Sequence, residues 1–167
     1  MRANIISGIA ETIGKFVESL VALFMGLLLV VVACNVFARY ILKIGLTWAE
    51  EFSLLLFIWV VFLGAYLAMR KKAHLALTFI IKRLPPNAFT ISRHIILVLV
   101  MVFVLAVFVG GLEFVRRVVS LDQRTPLLRI SAAWAYASIP VSMGLMLLEL
   151  MRMLIRGEHI VRFDIEN

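Results

Sequence analysis

The sequence predicts an all-α integral membrane protein of four transmembrane helices, with both termini cytoplasmic and short interfacial helical segments between spans. Three observations carry that expectation. The 167 residues are 63% hydrophobic and 16% charged, where a soluble domain is about half apolar and about a quarter charged. So short a chain has no core large enough to hide the excess, and a mean hydropathy of +1.06 makes lipid part of its solvent. Four stretches, residues 19–38, 52–69, 95–112 and 130–148, lack Asp, Glu, Lys and Arg. At about 1.5 Å per residue they cover roughly 27–30 Å, the depth of the hydrocarbon core. Each is closed by a charge: Arg39, Arg70, Glu113 and Glu149. Backbone groups in lipid must satisfy one another, and four runs are too few for a barrel, so the runs are helices. One domain, residues 1–167, accommodates them all.

Within the first run, Val31-Val32-Ala33-Cys34 resembles a lipoprotein cleavage box. Glu11 and Glu18 interrupt its leader, however, and apolar residues continue past Cys34, so an uncleaved helix is expected. The single cysteine allows neither an intrachain disulfide nor a cysteine metal site. The second run carries Trp48, Phe52, Leu55, Trp59, Phe62 and Tyr66 at spacings of four, three, four, three and four. This heptad-like seam suits packing against another helix, inside the chain or outside it.

Beyond it, residues 73–84 are apolar with a basic end, and Pro85-Pro86 stops them. A short helix lying in the cytoplasmic interface suits such a segment. Helix 3 is nearly all Leu, Val, Ile, Phe and Met over residues 95–109 and is expected to be the most lipid-exposed span. Residues 113–129 mix charged and apolar side chains and are expected to form a loop capping the periplasmic side. Helix 4 aligns Ser131, Ala135, Ser138 and Ser142 on one face, small residues that let backbones approach closely. Pro140 should kink this helix or loosen its hydrogen bonding.

Orientation follows from the basic residues between spans. The N-terminal segment, the second loop and the tail together hold eleven Lys and Arg, against six in the first and third loops. Residues 70–93 alone supply six of the eleven, with no acid among them. That places the N-terminus, second loop and C-terminus on the cytoplasmic side of the membrane. The net charge of +7 flanks apolar runs and forms no separate basic domain, so its partners are phospholipid headgroups rather than nucleic acid.

Transporters and channels place ionisable or polar groups mid-membrane, or break a helix to build a site. None of the four runs has a central charge, and the few polar candidates are Asn35, Ser53 and the serines of helix 4. Hydroxyls in membrane helices commonly bond back to their own backbone or to a neighbouring helix. The chain carries no Gly-rich phosphate loop, metal-ligand cluster or nucleophile elbow, so neither a catalytic residue nor a cofactor site is expected. His74, His94 and His159 stand apart from carboxylates in sequence.

The notable polar residues flank helix 2: Arg39-Tyr40 and Trp48-Ala49-Glu50-Glu51 before it, Arg70-Lys71-Lys72 and His74 after it. Helix-dipole complementarity explains the signs of these charges but not the combination. Asn35, Arg39-Tyr40, Trp48-x-Glu50-Glu51, Trp59, Phe62-Leu63-Gly64-Ala65, Arg70 and His74, in that order, resemble the small membrane subunit of tripartite ATP-independent periplasmic (TRAP) transporters. Family members often carry an acid shortly after the histidine, where this chain has Leu77 and Thr78.

The resemblance implies a scaffold subunit beside a large elevator-type membrane subunit, which would hold the substrate and sodium sites, while a periplasmic binding protein delivers a carboxylated solute such as a sialic acid or a C4-dicarboxylate. It would be a sodium-coupled importer and no enzyme. Assembly contacts are expected at Arg39, Tyr40, Trp48, Glu50, Glu51, Phe52, Leu55, Trp59, Phe62, Gly64 and Tyr66. Headgroup contacts are expected at Arg70, Lys71, Lys72, His74, Lys82 and Arg83. Two rival readings are a homo-oligomeric transporter or channel lined by the helix 4 serines, and an enzyme or enzyme anchor using Glu50, Glu51 and Arg39. Flux through the chain alone would mark the first; activity lost on Glu50→Gln or Glu51→Gln, with assembly intact, would mark the second.

Overall fold

A computed structural model describes residues 2–71 and 86–156, which are helical apart from two connections and one isolated bridge. Helix α1 runs Arg2–Tyr40, α2 Thr47–Arg70 and α3 Pro86–Ser120; a short α4, Ala133–Tyr136, leads into α5, Ser138–Arg156. Four segments are long and apolar enough to cross a membrane, with α4 and α5 forming the fourth together.

Two helices outrun their charge-free stretches. The 39 residues of α1 span about 58 Å, nearly twice the hydrocarbon core. A charged residue ends lipid solubility without ending helical hydrogen bonding, and the Glu11–Lys15 pair at 3.1 Å lies across one turn of α1. Likewise α3 runs on to Ser120, with Glu113 and Arg117 paired at 3.4 Å. Residues 113–120, expected in a loop, are therefore helix, and the connection shrinks to residues 121–132. At its other end Pro86 occupies the first helical position, where its missing N–H removes no bond. The fourth span breaks at Ala137, because Pro140 has no N–H to offer the Tyr136 carbonyl.

The main contacts run α1–α2–α5–α3, with α2 and α5 central. The core joins Leu63, Tyr66 and Met69 of α2 to Met143, Met146, Leu150 and Met153 of α5, with Val104 of α3 and Val17 of α1. Four of these nine are methionines, whose flexible thioethers fill irregular gaps between helices. Where α3 crosses α5, a Cβ on Gly111 would lie 3.0 Å from Ile139 and 3.3 Å from Pro140, so glycine is what permits that approach.

The expectation that helix 3 is the most lipid-exposed span needs correction. None of the most apolar stretch of α1 is buried, against 11% of that of α3 and 44% of that of α4–α5. Helix α1 joins the core mainly through its N-terminal half, around Val17, Leu20 and Val21. Farther along, Leu29 is 72% exposed and Phe37 55% exposed, a face that only lipid or a protein partner can cover.

Candidate functional site

The polar residues of α2 lie at both its ends. At the upper end, which carries the α1–α2 and α3–α4 connections, the guanidinium of Arg39 bonds to the carboxylate of Glu50. The two helices meet there across residues 41–46, where Lys43 adopts φ 57° and the Ile44 N–H returns to the Ala38 carbonyl at 3.0 Å. Both side chains are about half exposed, so the pair fixes geometry more than it adds stability.

Glu51 does something different. Its Oε2 accepts the backbone N–H groups of Leu127 (2.9 Å) and Leu128 (2.8 Å), while Oε1 is buried without a partner among the described residues. A residue of α2 thus holds the tip of a connection 76 residues away in sequence. Charge-assisted bonds to two backbone donors are among the stronger polar contacts available.

Below this, Trp59 meets Trp134 of α4 edge to face, with ring centroids 5.2 Å apart and planes at 63°. Phe114 and Tyr136 make a second such pair at 4.8 Å and 90°. The predicted seam therefore divides. Tyr66 is buried in the core, Phe52, Leu55, Trp59 and Phe62 are partly buried, and Trp48 is exposed at 48%. Gly64 is open on its outer side, with no atom within 4 Å of where a Cβ would stand. Tyr40 is exposed.

At the lower end, Arg70 closes α2 against α1. Its guanidinium lies over Gly14, where it fills the space a Cβ would need, and it donates to the Glu11 carbonyl at 3.5 Å. Beside it Lys71 pairs with Glu18 at 2.5 Å. Two of the cations assigned to headgroups thus make contacts within the chain. Lys72, His74, Lys82, Arg83 and the interfacial segment 73–84 lie outside the described residues.

Sequence reasoning missed one polar pair. Glu149 is 3% exposed and bonds to Arg152 at 2.5 Å, three residues on along α5. Ser131, expected on the same face, lies outside the helix and is exposed, but the signal was present: extending the stripe Ala135–Ser138–Ser142 by four, three and four reaches Met146, Glu149 and Met153. All six are buried, so the small-residue face and the acid share one surface turned to the core. Ser138 donates to the Ala135 carbonyl at 2.7 Å and Ser53 to Ala49 at 2.6 Å, the back-bonding common to helical hydroxyls. No cluster suited to a metal ion occurs among the described residues.

The sequence profile of the DctQ component of tripartite ATP-independent periplasmic transporters matches residues 15–158. The sialic acid TRAP transporter small permease protein SiaQ of Vibrio cholerae is 28% identical over 131 residues, 78% of this chain and 75% of that protein. A Haemophilus influenzae protein provisionally named a TRAP transporter small permease is 37% identical over 87 residues, 52% of this chain. That match spans about half, 54%, of the relative. The isethionate TRAP transporter permease protein DctMQ of Oleidesulfovibrio alaskensis is 28% identical over 105 residues, 63% of this chain but 16% of that much longer protein.

Proposed function

Because the chain belongs to the DctQ component family of the tripartite ATP-independent periplasmic transporters, we propose that it is the fixed scaffold of such a transporter and holds no part of the solute path. It is a small permease subunit, a transport component and not an enzyme, multi-pass in the inner membrane, and it works with a large membrane subunit. The observation supporting the scaffold reading is the filled interior. Leu63, Leu150, Met153, Ser138 and Ser142 are fully buried between the helices, while extended apolar faces of α1 and α3 point outward. A subunit packed solid inside and apolar outside is built to be held rather than to open.

On this reading the large subunit carries the sodium and substrate sites, and this chain binds no cofactor. Both termini are cytoplasmic, so the upper end faces the periplasm and helps to dock the periplasmic binding protein. The solute is carboxylated, of sialic acid or C4-dicarboxylate type, the two classes for which Vibrio cholerae relatives are named. All 167 residues form one membrane domain. The exposed members of the α2 set, Arg39, Tyr40, Trp48 and Glu50, contact the large subunit directly. Glu51, Phe52, Leu55, Trp59, Phe62, Gly64 and Tyr66 shape the surface behind them. The basic residues Arg70, Lys71, Lys72, His74, Lys82 and Arg83 line the cytoplasmic headgroup layer. Reconstitution tests the scaffold role: liposomes holding this chain alone should show no sodium-driven uptake, and those holding both membrane subunits with the binding protein should show it. Uptake by this chain alone would sink the reading.

A further inference from the structure

The α3–α4 connection is built more firmly than a linking loop requires. The Thr125 N–H bonds to the Ile130 carbonyl at 2.8 Å, the Ala132 N–H to the Gln123 carbonyl at 2.9 Å, and the Ile130 N–H to the Thr125 hydroxyl at 3.1 Å. Asp122 and Arg129 take left-handed conformations, φ 44° and 54°, which are unfavourable for residues with a Cβ. The Glu51 carboxylate then ties the tip down through two backbone donors.

This frame displays Leu121, Leu127 and Ile130, all exposed. Arg117 and Arg124 are paired with Glu113 and Asp122, but Arg116 and Arg129 have no acidic partner among the described residues. An apolar tip with two uncompensated guanidinium groups, Arg129 in the hairpin and Arg116 on the helix that leads into it, complements an acidic surface with an apolar centre. A fluid headgroup layer accepts such side chains in any arrangement. A protein partner favours a fixed one, because ordering a loop on binding costs affinity.

We propose that the hairpin of residues 121–131, fixed by Glu51, is a docking contact for a water-soluble protein whose opposing face is acidic. This rests on the reading that the upper end is periplasmic, which makes that protein the transporter's own periplasmic component.

The test is binding of the purified periplasmic component to the two-subunit complex in nanodiscs, with and without phosphatidylglycerol. Arg116→Glu combined with Arg129→Glu should weaken binding by at least about tenfold at low salt, with the large subunit still co-purifying. Glu51→Ala, which frees the tip and keeps both arginines, should weaken it too. Leu127→Ser, at an exposed position, probes the apolar centre if Glu51→Ala fails to assemble. Unchanged affinity in the charge-reversed complex overturns the proposal, and so does a loss confined to discs containing phosphatidylglycerol, which would mark a lipid anchor. A cysteine at Gln123 separates the two levels. If it labels from the periplasm while charge reversal has no effect, the hairpin proposal falls and the orientation stands. If it is shielded and the wild-type complex binds nothing, both fall.

Discussion

Trp59 and Trp134 meet edge to face with ring centroids 5.2 Å apart, and this contact joins the middle of α2 to the broken start of the fourth span. In lipid, apolar side chains are already solvated, so helices gain from shape matching and dispersion rather than from escape from water. Two large rings in contact are therefore a main tie between these elements.

Trp59→Ala should destabilise the chain by about 2–4 kcal/mol, the cost of an ill-filled void under a partly buried ring. A cycle with Trp134→Ala should show coupling of about 0.5–1.5 kcal/mol, read from denaturant unfolding in detergent. Phe103→Ala, at a position 62% exposed on α3, should be mild. Additive effects of the two tryptophans would mean that the contact carries no energy of its own.

The Glu149–Arg152 pair on α5, its acid buried and its arginine partly so, gives a sharper contrast. Arg152→Met leaves the buried Glu149 carboxylate without its partner and should cost about 3–5 kcal/mol, whereas Glu149→Gln leaves only a partly exposed guanidinium and should cost less. Replacing both, Glu149→Leu with Arg152→Met, should restore much of that loss. Melting of the purified chain in detergent measures all three variants, and a double variant no better than the single ones would contradict the account.

Gly14 is the seat of Arg70. Gly14→Ala places a methyl where the guanidinium lies, and the flexible arginine has to leave. The loss should be about 1 kcal/mol, the worth of an ordinary polar contact. In an Arg70→Ala background the same substitution should be neutral or slightly stabilising, since alanine favours helix over glycine. An equal loss in both backgrounds would show that the methyl meets something other than Arg70.

Orientation is tested by cysteine labelling of intact cells in a Cys34→Ser background. Cysteines placed at Lys72 and Asn167 should be shielded from an impermeant thiol reagent, while one at Gln123 should label. The expectation rests on the excess of eleven over six basic residues. Labelling at Lys72 would invert the topology.

The sequence by itself determined the solvent, the number of spans and the family. Charge-free runs of bilayer length admit only helices, and the ordered residues from Asn35 to His74 single out one class of subunit. It also marked Pro140 as a break, because a missing N–H is a covalent fact. Tertiary structure alone decided what those residues touch. Glu50 and Glu51 are neighbours with the same charge, yet one pairs with Arg39 and the other holds a hairpin 76 residues away. The aromatic seam of α2 satisfied a helix-packing pattern, but only the fold showed that Tyr66 turns inward and Trp48 outward. Hydrophobicity could not rank the exposure of α1 and α3, because lipid and protein interior are equally apolar. In a membrane, composition tells a helix where to lie along the bilayer normal, and shape alone tells it which neighbour to face.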